Sequence, residues 1–248
     1  MSGDKRPTHV DLFAGIGGFS IAAQWAGFRT IAHAEVDADA SSILRHHWPA
    51  IPNLGDVTKI HGNTLESVDL VTAGVPCQPT SYAGGRRGSS DDRWLWPDTL
   101  RIVSELQPRF CLFENPPAIL TLEAGRAFNR IVSELHSLGY AVWWEVVPAA
   151  AVGAGHLRER LFIVASHPSS VRRKGSGQCR KPCSPKEDAF REASELRDAF
   201  QRRSLPFLCA RHDGFPKKMV KSALRCVGNA VVPQVAYCFL KAIRDQLP

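Results

Sequence analysis

Three short segments carry side chains that could act together on one substrate. Cys77 stands in Val75-Pro76-Cys77-Gln78-Pro79, where prolines on both sides restrict the backbone and present the thiol from a fixed loop rather than a helix. A single cysteine is more often a small buried apolar residue. The Pro-Cys-Gln-Pro setting, with the basic stretch Gly84-Gly85-Arg86-Arg87 close behind, argues instead for a nucleophile. Glu114 opens Glu114-Asn115-Pro116-Pro117 at the end of an apolar run. Partial desolvation there raises a carboxyl's pKa and lets it hold a proton near neutrality. Arg158-Glu159-Arg160 places planar, permanently charged donors before the last apolar run.

Each segment alone has an ordinary explanation: a buried thiol, a capping carboxylate, a solvated charge run. Together they suit addition to an electron-poor pyrimidine. Cytosine C5 is too weak a nucleophile to attack a sulfonium methyl unaided. A thiolate added at C6 turns the ring into an enamine with electron density at C5. A carboxyl at N3 and an arginine at O2 stabilise the developing charge. In duplex DNA the base must first leave the stack.

A second constellation points to an adenosine-containing ligand. Asp11-Leu12-Phe13-Ala14-Gly15-Ile16-Gly17-Gly18 follows a strand-like run and opens a helix-like one, and its glycines permit positive φ and close backbone approach. Glu35 ends the next strand-like run, where a carboxylate can hold both hydroxyls of a ribose. The third glycine of a dinucleotide fingerprint is replaced by Ser20, which disfavours a nicotinamide-dependent oxidoreductase. Asp56, after a Pro/Asn turn, is a candidate for the adenine amino group.

The elements that must position these residues alternate in type. Strands are expected at Thr8–Leu12, Thr30–Ala34, Leu70–Ala73, Phe110–Phe113, Ala141–Val147 and Leu161–Ala165. Helices are expected at Phe19–Ala26, Ala38–His46, Pro97–Leu106, Arg126–Leu138, Lys186–Phe200 and Pro233–Gln246. Such alternation implies an α/β fold: a Rossmann-like, mainly parallel sheet with helices on both faces and ligands beyond the carboxyl ends of the strands. Three parts are expected: a catalytic and cofactor-binding core at 1–166, a short basic region at 167–210 and a segment at 211–248 that returns to the core.

Composition sets the surroundings. The chain is 44% hydrophobic, and no apolar run approaches the roughly 20 residues that span a bilayer. Seven scattered cysteines and an N-terminus without an apolar leader suggest a reducing cytoplasm. Residues 1–166 hold 14 Lys/Arg against 17 Asp/Glu, whereas residues 167–248 hold 17 against 7. The net charge of +7 therefore arises wholly in the last third, as a polyanion-binding face or a solubilising linker would require. No membrane partner and no obligate protein partner is indicated, and a monomer is expected.

These motifs, in this order, resemble the cytosine-C5 DNA methyltransferase family across nearly all of 8–166 and again at 211–240. The resemblance implies a class I methyltransferase fold, S-adenosylmethionine as cofactor and double-stranded DNA as partner, in a bacterial or phage-encoded setting. It implies Cys77 as nucleophile, Glu114 at N3, and Arg158 and Arg160 beside them. It implies a cofactor pocket built from Asp11, Phe13, Gly15, Ile16, Gly17, Glu35, Val36, Asp56, Val57, Pro76 and Asn229. Gln78, Ser81, Arg86 and Arg87 would face the nucleic acid. Three departures stand out: Pro116 replaces the usual Val, His156 stands where a Gln commonly precedes the two arginines, and the target-recognition region at 167–210 is very short. Cys179, Cys183, Cys209 and His212 form two close pairs that could hold a structural zinc, although the spacing matches no standard finger. The rivals are a tRNA cytosine-C5 methyltransferase and an inactive DNA-binding relative.

Overall fold

A computed structural model describes residues 4–62, 65, 67–76, 94–167 and 225–247. Its strands are β1 (Thr8–Leu12), β2 (Arg29–Ala34), β3 (Leu70–Gly74), β4 (Phe110–Asn115), β5 (Ala141–Pro148) and β6 (Glu159–Ser166). They form one sheet in the order β2-β1-β3-β4-β6-β5. The first four run parallel, as crossover helices demand. β6 lies antiparallel between β4 and β5, an insertion that the alternation of elements does not announce. A single parallel bridge from His33 to Asn53 extends the β2 edge.

The helices are α1 (Gly18–Trp25), α2 (Ala38–His47), α3 (Trp96–Leu106), α4 (Arg126–Ser137) and α5 (Pro233–Arg244). Their ends follow local chemistry. Asp37 caps α2 by accepting from the N–H groups of Asp39 and Ala40, and Arg45, His46 and His47 occupy its last turn against the dipole. Pro97 stands in the first turn of α3, where its missing N–H costs nothing, and Gln107 ends the helix with φ 45°.

The sheet is covered on both faces, as expected. On one side Ile102 and Val103 of α3 and Phe128, Ile131 and Leu135 of α4 pack on Val10, Leu12, Val71, Phe113 and Ile163. On the other, Phe19, Ala22 and Ala23 of α1 and Phe239 and Leu240 of α5 pack on Leu70, Phe110, Leu112, Phe162 and Val164. Phe239 stacks on Phe162 with ring centroids 4.7 Å apart. Residues 225–244 have the length and hydropathy to cross a membrane, contrary to the estimate from apolar runs. The stretch is interrupted at Ala230–Val232, and Val235 to Leu240 are buried in the core, so α5 is a core helix. The helix expected at Lys186–Phe200 lies outside the described residues.

Candidate active site

The carboxyl ends of β1, β2 and β3 carry the Gly-rich loop and its acidic partner. Phe13 (φ 52°), Gly15 (φ 55°) and Gly17 (φ 88°) all take left-handed backbone, which folds the chain sharply into α1. Gly17 cannot be replaced without collision, because a Cβ would sit 2.4 Å from the Trp48 ring. Gly15 faces open space. Its N–H donates to Glu35 Oε2 at 2.7 Å, while the Asp37 N–H donates to Oε1 at 2.7 Å. Each carboxylate oxygen keeps a free lone pair, so Glu35 is oriented yet still able to accept from a diol. Asn53, which no sequence motif marks, accepts from the Glu35 N–H at 2.9 Å and donates to its carbonyl at 3.0 Å. Val36 beside it is 71% exposed, an apolar surface next to the carboxylate. Ile16 stands on the same loop and lines the cavity described below.

Two expected cofactor contacts need correction, and a third is already partnered. Asp11 is fully buried, and both its oxygens are taken by Ser20 and Thr72, so it supports the loop from beneath and does not face a ligand. The Val57 side chain belongs to the core, and its carbonyl accepts from Arg101 Nη2 at 3.1 Å. Asp56 caps a short turn: Oδ1 accepts from the Thr58 N–H at 3.0 Å and its hydroxyl at 2.8 Å. These bonds hold its carboxyl below the usual range, the Thr58 hydroxyl most of all, and Oδ2 lies 3.6 Å from Lys59 Nζ in an exposed ion pair.

At the next strand end the acid and one arginine meet. Glu114 pairs in register with Gly74 of β3 and Phe162 of β6 and is nine-tenths buried. Arg160 Nε lies 2.8 Å from Glu114 Oε1, an ion pair without a well-directed hydrogen bond. Burial pushes the Glu114 carboxyl above its ordinary range; the charges of Arg160 and Arg158 oppose this without cancelling it. Asn115, also fully buried, donates from Nδ2 to the carbonyl of Val75 at 3.1 Å and to that of Glu114 at 2.7 Å. It thereby ties the end of β4 to the half-buried loop at Pro76 that leads to Cys77.

Arg158 does not join Arg160 at the carboxylate. With φ 25° it turns away, and its Nη1 and Nη2 donate to the carbonyls of Gly228 at 2.7 Å and Ala230 at 2.8 Å. Its expected catalytic role becomes one of holding the closing segment. Arg225, at the other end of that segment, pairs with Asp37 and, at 3.0 Å, with Asp39. Between these clasps lies a cavity of about 550 Å³ lined by Ile16, Gly18, Ile21, His156, Val231 and neighbouring residues. Gly18 permits this approach, since a Cβ there would sit 2.6 Å from Val231. Asn229 is exposed beside the cavity.

Cys77, Gln78, Ser81, Arg86 and Arg87 lie outside the described residues, as do Cys179, Cys183, Cys209 and His212. Among the described residues no cluster of three or more His, Cys, Asp or Glu could hold a metal.

Comparison with known proteins places these motifs. Residues 8–213 match the family described as C-5 cytosine-specific DNA methylase. The chain is 38% identical over 162 residues to the Type II methyltransferase M.BsuFI of Bacillus subtilis, covering 65% of this chain and 39% of that protein. It is 34% identical over 161 residues to the Type II methyltransferase M.NgoMIV of Neisseria gonorrhoeae, covering 64% and 51%. The chain thus spans about half or less of the length of these relatives. Among solved structures it resembles DNMT2 of Spodoptera frugiperda, with a TM-score of 0.67 at 15% identity over 96% of this chain and 99% of that one. It also resembles the methyltransferase EhMeth of Entamoeba histolytica, with a TM-score of 0.66 at 14% identity over 98% and 99%. At those identities the likeness concerns the fold alone. The match over 8–213 runs from the Gly-rich loop through Glu114 to Arg160, and on that ground the chain belongs to the C-5 cytosine-specific DNA methylase family.

Proposed function

We propose that this chain methylates C5 of cytosine in duplex DNA, with S-adenosylmethionine as donor and Cys77 as transient covalent nucleophile. The observation that carries the proposal is the buried Glu114 carboxyl, held above its ordinary pKa and paired with Arg160, one strand away from the loop that leads to Cys77.

The cofactor side fits an adenosine sulfonium. Glu35 has acceptor capacity for a ribose, Val36 offers apolar surface beside it, and Gly15 leaves room for close approach. Phe13, Gly17, Asp56, Pro76 and Asn229 complete the surround, with Ile16 on the cavity wall. When bound, the cofactor supplies an electrophilic methyl group.

The protein's own residues do the rest. The Cys77 thiolate forms a bond to C6 of a flipped cytosine while Glu114 gives its proton to N3, so that charge does not build up on the ring. Arg160 holds Glu114 and adds positive potential at the same edge. After C5 has gained the methyl group, the C5 proton passes to a solvent water and its electron pair restores the ring double bond. The C6–S electron pair returns to sulfur, and N3 returns its proton to Glu114. Gln78, Ser81, Arg86 and Arg87 contact the nucleic acid, and the basic region at 167–210 contacts phosphates, with 1–166 as catalytic core and 211–248 closing it. The setting is the cytoplasm, and the working unit is a monomer.

The test is trapping on DNA. A duplex carrying 5-fluorocytosine in the sequence the enzyme reads, given S-adenosylmethionine, accumulates a covalent protein–DNA adduct, because fluorine cannot leave as the proton does. Cys77→Ala forms none and keeps the wild-type affinity for S-adenosylmethionine. Full turnover by Cys77→Ala excludes the covalent route. Methyl transfer to tRNA but not to DNA excludes the substrate.

A further inference from the structure

The sheet face beneath α1 is polar where aliphatic residues would be expected. His9 and Asp11 of β1, His33 of β2, Thr72 of β3 and Ser20 of α1 are all 0–1% exposed. Asp11 stands in register between His33 and Thr72, three abreast on parallel strands. The side chains form one hydrogen-bonded chain. Thr30 Oγ1 meets His9 Nδ1 at 2.9 Å, and His9 Nε2 meets Thr72 Oγ1 at 2.8 Å. Thr72 donates to Asp11 Oδ1 at 2.9 Å and Ser20 to Oδ2 at 2.7 Å, and Ser20 Oγ meets His33 Nε2 at 3.0 Å.

With Asp11 ionised, one assignment of hydrogens satisfies every link. Thr30 donates to His9, His9 to Thr72 and Thr72 to Asp11; from the other side His33 donates to Ser20 and Ser20 to Asp11. Only the lone pair at His33 Nδ1 is left buried without a partner. Both imidazoles are neutral near pH 7, since burial holds His9 down at about 3 and His33 at about 4. Protonated Asp11 must instead donate at one oxygen, which reverses a link and replaces two charge-assisted bonds with weaker neutral ones.

Asp11 and Ser20 bracket the Gly-rich loop and its three left-handed residues. We propose that ionised Asp11 is a positioning residue that, through Ser20 and Thr72, staples this loop in the shape that accepts the cofactor. The inference rests on S-adenosylmethionine being that cofactor. Such an anion works against the fold. Burial pushes Asp11 up to about 7, with the Ser20 and Thr72 hydroxyls pulling it down and Glu35 adding to the rise. A carboxyl whose folded pKa lies above its unfolded value contributes stability at low pH that is lost as pH rises toward 7. The groups facing it are His9, His33 and Glu35, and both imidazoles stay neutral across that window.

The experiment is calorimetric titration of the full chain with S-adenosylmethionine at pH 6 and pH 8, beside thermal melts without cofactor. At pH 8 Asp11→Asn should bind about tenfold more weakly than wild type and melt no lower. Wild-type affinity should fall several-fold from pH 8 to pH 6, and that of Asp11→Asn should change far less. Ser20→Ala should weaken binding at pH 8 in the same direction, which serves if Asp11→Asn does not fold. Equal affinity of both variants and wild type at pH 8, or parallel pH profiles for wild type and Asp11→Asn, overturns the inference. So does a loss of melting temperature that accounts for the weaker binding. A wild type that does not bind S-adenosylmethionine at either pH overturns the cofactor assignment itself, and this inference with it.

Discussion

Arg160 Nε lies 2.8 Å from Glu114 Oε1 across the antiparallel pair of β6 and β4, and the carboxyl nonetheless stays above its ordinary pKa. Desolvation outweighs the attraction. The arginine therefore lowers the pKa of the acid without bringing it back to its ordinary range, and a raised pKa is what favours a proton donor to N3.

Arg160→Ala removes the strongest opposing charge, so the Glu114 pKa should rise further. The rate of methyl transfer should depend on protonated Glu114 and fall on the alkaline side of its pKa. In the variant that alkaline limb should move to higher pH while the plateau drops by about 10²–10³-fold, the usual loss for one stabilising donor. A pH–rate profile under saturating donor and DNA measures both. An alkaline limb that moves to lower pH contradicts the assignment of Glu114 as the acid.

Much of this frame was legible in the sequence. The strand beginning at Thr8 and the helix beginning at Ala38 are where the apolar run and the helix-like pattern put them, because both signals are local. The link from Gly15 to Glu35 follows from a loop and a strand end on adjacent parallel strands. What escaped depends on distant partners. Arg158 grips residues 70 and 72 positions away, and nothing in its neighbourhood separates it from Arg160. The resemblance put Asp11 in the cofactor pocket because it opens the Gly-rich motif. Only the fold reveals the imidazoles and hydroxyls that make a buried polar face possible. The placement of β6 between β4 and β5 is likewise a property of the whole sheet.

Arg158→Ala should separate holding from chemistry. It removes two charge-assisted bonds to the closing segment, each worth about 1.5–3 kcal/mol. The KM for S-adenosylmethionine should rise about tenfold or more, while kcat at saturating cofactor stays within about threefold of wild type. Arg158→Lys should recover only part of the loss, since an ammonium cannot span both carbonyls as the planar fork does. A kcat loss comparable to that of Arg160→Ala, with KM unchanged, would return Arg158 to the reacting atoms.

Asn115 offers a test of how the acid and the nucleophile are kept in register. Its Nδ2 bridges the carbonyls of Glu114 and Val75, the latter two residues before Cys77, from a fully buried position. Asn115→Asp puts an acceptor-only group against two carbonyls when ionised, so it should lower the melting temperature and the rate of 5-fluorocytosine adduct formation by at least about a hundredfold. Asn115→Ala leaves the Val75 carbonyl without its partner but introduces no charge, at a cost of about 1–3 kcal/mol for a buried group left unsatisfied. It should slow adduct formation about tenfold while weakening the calorimetric affinity for S-adenosylmethionine by no more than about twofold, because the loop it holds carries the nucleophile and only Pro76 of the cofactor surround, whereas Glu35 lies three strands from β4. If both quantities fell together, Asn115 would be supporting the sheet as a whole, and the Val75 contact would not be what aims Cys77.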